Sequence, residues 1–189
     1  MSIYNLTKGL EKSLEELLAR EVELHVEDGL ILPNLRMVEK DAAQETAVPE
    51  CAFLNEEGRC SIHAFRPGFC RLFPLGRNYA EGRLGYFVLG DACPALNKSK
   101  VKIEKWIGIP RIREYEAFLV EWHTLTKGLR FFYADNTENE AIIKAINIQF
   151  LQIFYLTPYM EGDFYVQFGE RMAKMKALLQ QLRVDLPEE

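Results

Sequence analysis

The chain has 189 residues, 48% of them apolar and 27% charged, with 23 lysines and arginines against 28 aspartates and glutamates for a formal net charge of −5. That is enough apolar material for one well-buried domain, and it excludes disordered, collagen-like and low-complexity classes. The acidic balance argues against a general binder of nucleic acid or anionic membrane, because those partners demand a dominant positive field.

The opening run Met1-Ser2-Ile3-Tyr4-Asn5 has neither the charged nor the apolar region of a secretory signal, and the spacing of 3–10 suggests a turn of helix. Ser13 followed by Glu16 is a capping-box pattern that starts a short helix carrying Leu14, Leu17 and Leu18. Val22, Leu24 and Val26 then alternate with polar residues up to Asp28-Gly29, and Leu30, Ile31 and Leu32 resume beyond it, which predicts a β-hairpin. Residues 40–50 read as a polar loop ending near Pro49. Between Cys51 and Gly90 glycines and prolines break any long element. A strand at 84–89 is predicted to pair with 75–79 across Glu81-Gly82.

The rest is helical by period. Pro110 suits a first helical position, followed by Ile112, Tyr115, Phe118, Leu119, Trp122 and Leu125, with Gly128 as a candidate stop. Residues 138–156 repeat the pattern with Ile142, Ile146, Phe150, Ile153 and Phe154. A last helix carries Phe164, Phe168, Met172, Met175, Leu179 and Leu182. Stripes of this kind are core before they are anything else. No run of about 18 apolar residues exists, so no membrane span is expected, and the expected address is the cytoplasm.

Cys51, Cys60, Cys70 and Cys93 are spaced C-x8-C-x9-C-x22-C in the turn-rich quarter, and the helical remainder has none. Four thiolates satisfy a tetrahedral zinc or iron ion, or the irons of an iron–sulfur cluster. The spacing lacks the paired C-x2-C knuckles of a zinc ribbon. Disulfides are disfavoured because nothing marks the chain as exported. Four independent buried cysteines are the competing reading, since a free cysteine packs like a small hydrophobe. Against it, all four sit beside turn residues rather than on the apolar helices.

His63 lies three residues after Cys60 and is an accessory ligand candidate, although a loop histidine more often bonds locally. His25 and His123 read as ordinary strand and helix residues. Arg59, Arg66, Arg71, Arg77 and Arg83 form a local basic excess. Of these, Arg66 and Arg71 flank Cys70 and are the candidates for offsetting thiolate charge or receiving an anion. No phosphate-binding glycine loop, dinucleotide fingerprint, H-E-x-x-H or G-x-S-x-G occurs.

The runs Cys51-Ala52-Phe53-Leu54, Gly58-Arg59-Cys60-Ser61-Ile62-His63 and Arg66-Pro67-Gly68-Phe69-Cys70-Arg71-Leu72-Phe73-Pro74-Leu75-Gly76 closely resemble the YkgJ-type cysteine-cluster family, described as zinc- or iron-chelating. The resemblance extends over residues 1–95 and includes Cys93 after the Gly85-Tyr86-Phe87 strand. Members usually open with a C-x-x-C-x-x-C-C-like cluster ahead of the segment that begins here at Ile3, and this chain has no cysteine before Cys51. Either its true start lies upstream or it carries half of the usual ligand set. Phe53, Leu54, Ile62, Phe69, Leu72 and Phe73 are expected to form an apolar jacket around the sulfurs.

The expected fold is mainly α with small β-hairpins, its irregular cysteine segment (1–98) packed as one unit on a helical half (99–189). The expected function is metal chelation, structural or redox, by Cys51, Cys60, Cys70 and Cys93, with the metal ion as partner. Two rivals are a protein-modifying enzyme, such as a lysine methylase by family analogy, and a helical module that docks a protein partner while the metal staples its loop.

Overall fold

The computed structural model describes residues 2–39, 48–90 and 100–186. Helix α1 (Ser2–Leu10) leads into α2 (Leu14–Arg20), whose start is the predicted capping box: Glu16 N–H donates to Ser13 Oγ while the Glu16 carboxylate accepts from Ser13 N–H at 2.7 Å. Strands β1 (Val22–Glu27) and β2 (Leu30–Leu35) form an antiparallel hairpin with Val22 opposite Leu35 and Glu27 opposite Leu30. Asp28 and Gly29 both take positive φ, 50° and 79°, the pair of left-handed conformations a tight two-residue hairpin needs. The same device recurs at Glu81-Gly82 between β5 (Leu75–Ala80) and β6 (Arg83–Val88). Between the hairpins, the short strands β3 (Met37–Val38) and β4 (Glu50–Cys51) pair with each other. This pairing puts Glu50 in a strand where a loop is expected from sequence; residues 40–47 of that loop lie outside the described residues.

The C-terminal half has α3 (Ile103–Ile107), α4 (Ile112–Asp135), α5 (Glu140–Leu151), a π-helical turn over Gln152–Leu156, and α6 (Phe164–Gln181). Pro110 is not in the first helical position. It lies before Arg111, the residue that caps α4, in the link that follows the left-handed Gly108 at the end of α3. Gly128 does not stop α4 either. A Cβ there would stand 3.1 Å from Leu186, so the glycine is a notch for the chain's last described turn rather than a terminator.

The predicted apolar stripes are core. Tyr115, Phe118, Leu119, Leu125, Ile146, Phe150, Phe154, Phe164, Phe168, Met172, Met175 and Leu179 are buried in one cluster that also takes in Leu30 of β2. A second cluster joins Leu6, Leu14, Leu17 and Val22 of the lead-in to Phe53 and Ile62 of the cysteine segment, and Tyr155 packs against both.

Two buried polar side chains fasten the layers. Asn147 of α5 donates to Gly29 O at 2.8 Å and accepts from Ile31 N–H at 3.1 Å, which holds the β1–β2 turn on the helices. Arg171 of α6 donates to the carbonyls of Ile153, Thr157 and Pro158 at 2.6, 2.8 and 2.9 Å and stacks 3.6 Å over the Tyr159 ring. It thereby supplies donors to the carbonyls left open where the π-helical turn ends.

Candidate metal centre

The cysteine segment is built from short hydrogen-bonded turns. Asn55 accepts from Gly58 N–H through its carbonyl and from Arg59 N–H through its side chain, and this closes the loop that delivers Cys60. Leu54 and Cys60 then form an isolated antiparallel bridge, and Ser61 donates twice to Phe53 O, by its N–H and by its hydroxyl, at 2.9 Å each. Cys51 sits opposite Met37 in the β3–β4 pair. The Cys51 and Cys60 side chains both pack against the second core cluster.

Cys70 lies in the 3-10 turn Phe69–Arg71. Arg71 holds the approach to this turn by donating to Ala64 O at 2.8 Å and Arg66 O at 3.3 Å. Trp106 of α3 holds the exit, its indole N–H shared between the carbonyls of Leu72 and Phe73 at 3.3 and 3.1 Å. Gly68, buried just ahead of Cys70, gives the Tyr115 hydroxyl room to press against the backbone, since a Cβ there would fall 2.2 Å from that oxygen. The turn is thus located by groups of α3 and α4 as well as by its own bonds.

Cys51, Cys60 and Cys70 are free, half-buried thiols. Burial pushes the Cys70 thiol up most, and the Cys51 and Cys60 thiols, one in β4 and one in the Leu54–Cys60 bridge, push it further in the same direction. The Arg66 guanidinium acts in the opposite sense on Cys70, and its Nε is buried with no hydrogen-bond partner among the described residues. Among the described residues no three histidine, cysteine, aspartate or glutamate side chains converge at ligating distance. Cys93 lies outside the described residues. Soft, partly buried thiols with an adjacent guanidinium fit the donor chemistry of zinc or iron.

The other candidates fall differently. His63 is exposed at the start of the 3-10 turn His63–Phe65. Arg71 serves backbone carbonyls. Arg59 pairs with Glu57 at 2.8 Å on the surface. Of the expected jacket, Phe53, Ile62 and Leu72 are buried and Leu54 is half-buried, but Phe69 and Phe73 are 73% and 56% exposed. The sequence reading missed Gly68, Trp106 and Tyr115 as the seat of the turn. Tyr115 was legible only as one position of an apolar stripe, and neither of the others carries a signal without its partner.

Residues 18–94, which contain all four cysteines, match the model of the CxxCxxCC family, described as "Putative zinc- or iron-chelating domain". This is the cysteine-cluster family that the segment resembles by its motifs. The match starts within α2 and leaves out α1. No curated protein and no solved structure matches the chain.

Proposed function

We propose, from the premise that residues 18–94 are a domain of the zinc- or iron-chelating CxxCxxCC family, that the chain binds one zinc or iron ion through the thiolates of Cys51, Cys60, Cys70 and Cys93. The observation that carries this reading is that Cys51 and Cys60, from separate segments, pack against one core cluster and both bear electrostatically on Cys70. The ion supplies a cross-link between loops that have few regular hydrogen bonds of their own, so its binding energy is folding energy for the segment. The chain's own residues prepare for it. Arg66 offsets thiolate charge, Arg71 and Trp106 fix the two ends of the Cys70 turn, and Phe53, Ile62 and Leu72 limit water on one side. The duty that follows is structural, in a reducing compartment that keeps the thiols available.

The test is anaerobic purification with elemental analysis and an absorption spectrum, repeated for Cys60→Ser and for the surface control Lys174→Ala. One zinc or iron per chain in the unaltered protein and the control, lost in Cys60→Ser, supports the assignment. Metal-free protein that folds and resists added zinc and ferrous ion overturns it. Acid-labile sulfide in stoichiometric amount overturns the single-ion form in favour of a cluster.

A further inference from the structure

A cavity of about 240 Å3 opens between β2, the Cys70 turn and the C-terminal helices. Its wall is aromatic. Phe118, Phe154 and Phe168 are buried there, and the Trp122 ring stands edge-on to Phe154 with centroids 5.0 Å apart. Among its described lining residues Arg77 of β5 is the one charged side chain; no described lysine, histidine, aspartate or glutamate lines it. Arg77 Nη1 is shut off from solvent and has no hydrogen-bond partner among the described residues. An N–H of a guanidinium left in that condition is costly unless an acceptor arrives.

The neighbouring carboxylate is otherwise engaged. Glu116 accepts from the Tyr86 hydroxyl at 3.1 Å, and Arg77 forms no ion pair among the described residues. Tyr115, also in the lining, is 2% exposed, and its hydroxyl lies beside Arg77. Burial raises its pKa, and the Arg77 guanidinium acts in the opposite sense, favouring negative charge at this end of the cavity.

We propose that this cavity binds a small monocarboxylate bearing a single aromatic ring, the carboxylate on Arg77 and Tyr115 and the ring against Trp122 and Phe154. Size sets the ring count, since a dry apolar cavity of about 150 Å3 already holds benzene and the remaining volume suits a two- or three-atom acid arm. Charge sets the headgroup. One guanidinium balances one carboxylate in bidentate fashion, whereas a doubly charged phosphate would leave a negative charge uncompensated among aromatic rings. The ring faces are those that stacked and edge-on partners prefer. None of Cys51, Cys60 and Cys70 lines the cavity, and the proposal does not depend on a bound metal.

Calorimetric titration of the full chain with 3-phenylpropionate, alongside 3-phenylpropionamide and inorganic phosphate, tests it. The expected result is one saturable site for the acid, at least about tenfold weaker binding of the amide, and no competition by phosphate. In proton–nitrogen spectra the acid should shift the Trp122 indole resonance and leave that of Trp106 in place. Arg77→Gln should weaken the acid at least about tenfold and leave the amide unchanged. No saturable binding, equal binding of acid and amide, displacement by phosphate, or undiminished acid binding by folded Arg77→Gln overturns the proposal. Should Arg77→Gln fail to fold, the comparison of acid with amide on the unaltered protein decides alone.

Discussion

Replacing Gly68 with alanine measures how firmly the Cys70 turn is seated on α4. Gly68 has φ −58° and ψ −32°, ordinary right-handed values, so alanine meets no backbone penalty there. Through the unfolded chain alone the change would stabilise the protein by about 0.4–1 kcal/mol. Space decides the sign. The added Cβ would lie 2.2 Å from the Tyr115 hydroxyl oxygen, 3.0 Å from its Cζ and 3.3 Å from its Cε2. Tyr115 is 2% exposed and cannot swing away without disturbing the core. Overpacking of this kind costs about 1–3 kcal/mol, so Gly68→Ala should be destabilising by about 1–2 kcal/mol net. For a chain of this size the melting midpoint then falls by about 2–8 °C. Tyr115→Phe removes the nearest atom and leaves the 3.0 Å contact, so the double variant should recover about 1 kcal/mol relative to the sum of the two single changes. Urea and thermal denaturation of the four proteins at one fixed metal loading read the cycle. A Gly68→Ala protein as stable as the parent, or a strictly additive cycle, would refute the seating.

Arg171→Met removes the donor to three part-buried carbonyls and should cost about 2–4 kcal/mol in urea denaturation. Faster amide exchange concentrated in residues 152–158 should accompany it, and exchange unchanged there would contradict the capping role. Asp163, which caps α6 by accepting from Tyr165 N–H at 2.8 Å, is held below the usual aspartate range first by its hydrogen bond with Arg111 and then by that cap. Its folded value lies under its unfolded one, so its stabilising share is present above the ordinary aspartate range and disappears as pH falls through the lowered value. Asp163→Asn should therefore be less stable than the parent at neutral pH and converge with it in acid. A stability gap independent of pH would refute the pairing.

Both long hairpins could be read from sequence because Gly29 and Gly82 accept positive φ at the second turn position, with Asp28 also tolerant of it, and that signal is local. The capping box at Ser13 and Glu16 was legible for the same reason. Helix ends were harder. Gly128 reads as a stop by propensity, but α4 has Leu186 to fill the notch, and that neighbour is 58 positions away along the chain. Strands β3 and β4, two residues each, are too short to alternate, so the pairing that positions Cys51 left no pattern. The identities of the candidate ligands were visible in the motifs, whereas the relation among them was not. Arg77 was legible only as one of five loop arginines, because its orphaned nitrogen and aromatic surroundings are assembled from β5, α4 and the turn after α5.

Trp106 grips the residues after Cys70 by their main-chain oxygens alone. A clasp of that kind is blind to what hangs from the backbone. The exposed ring of Phe73 can therefore be exchanged for another residue without loosening the knot, whereas no substitute for the indole reaches both oxygens with one hydrogen. Variation should accumulate on the held strand of this joint and be scarce on the hand that holds it.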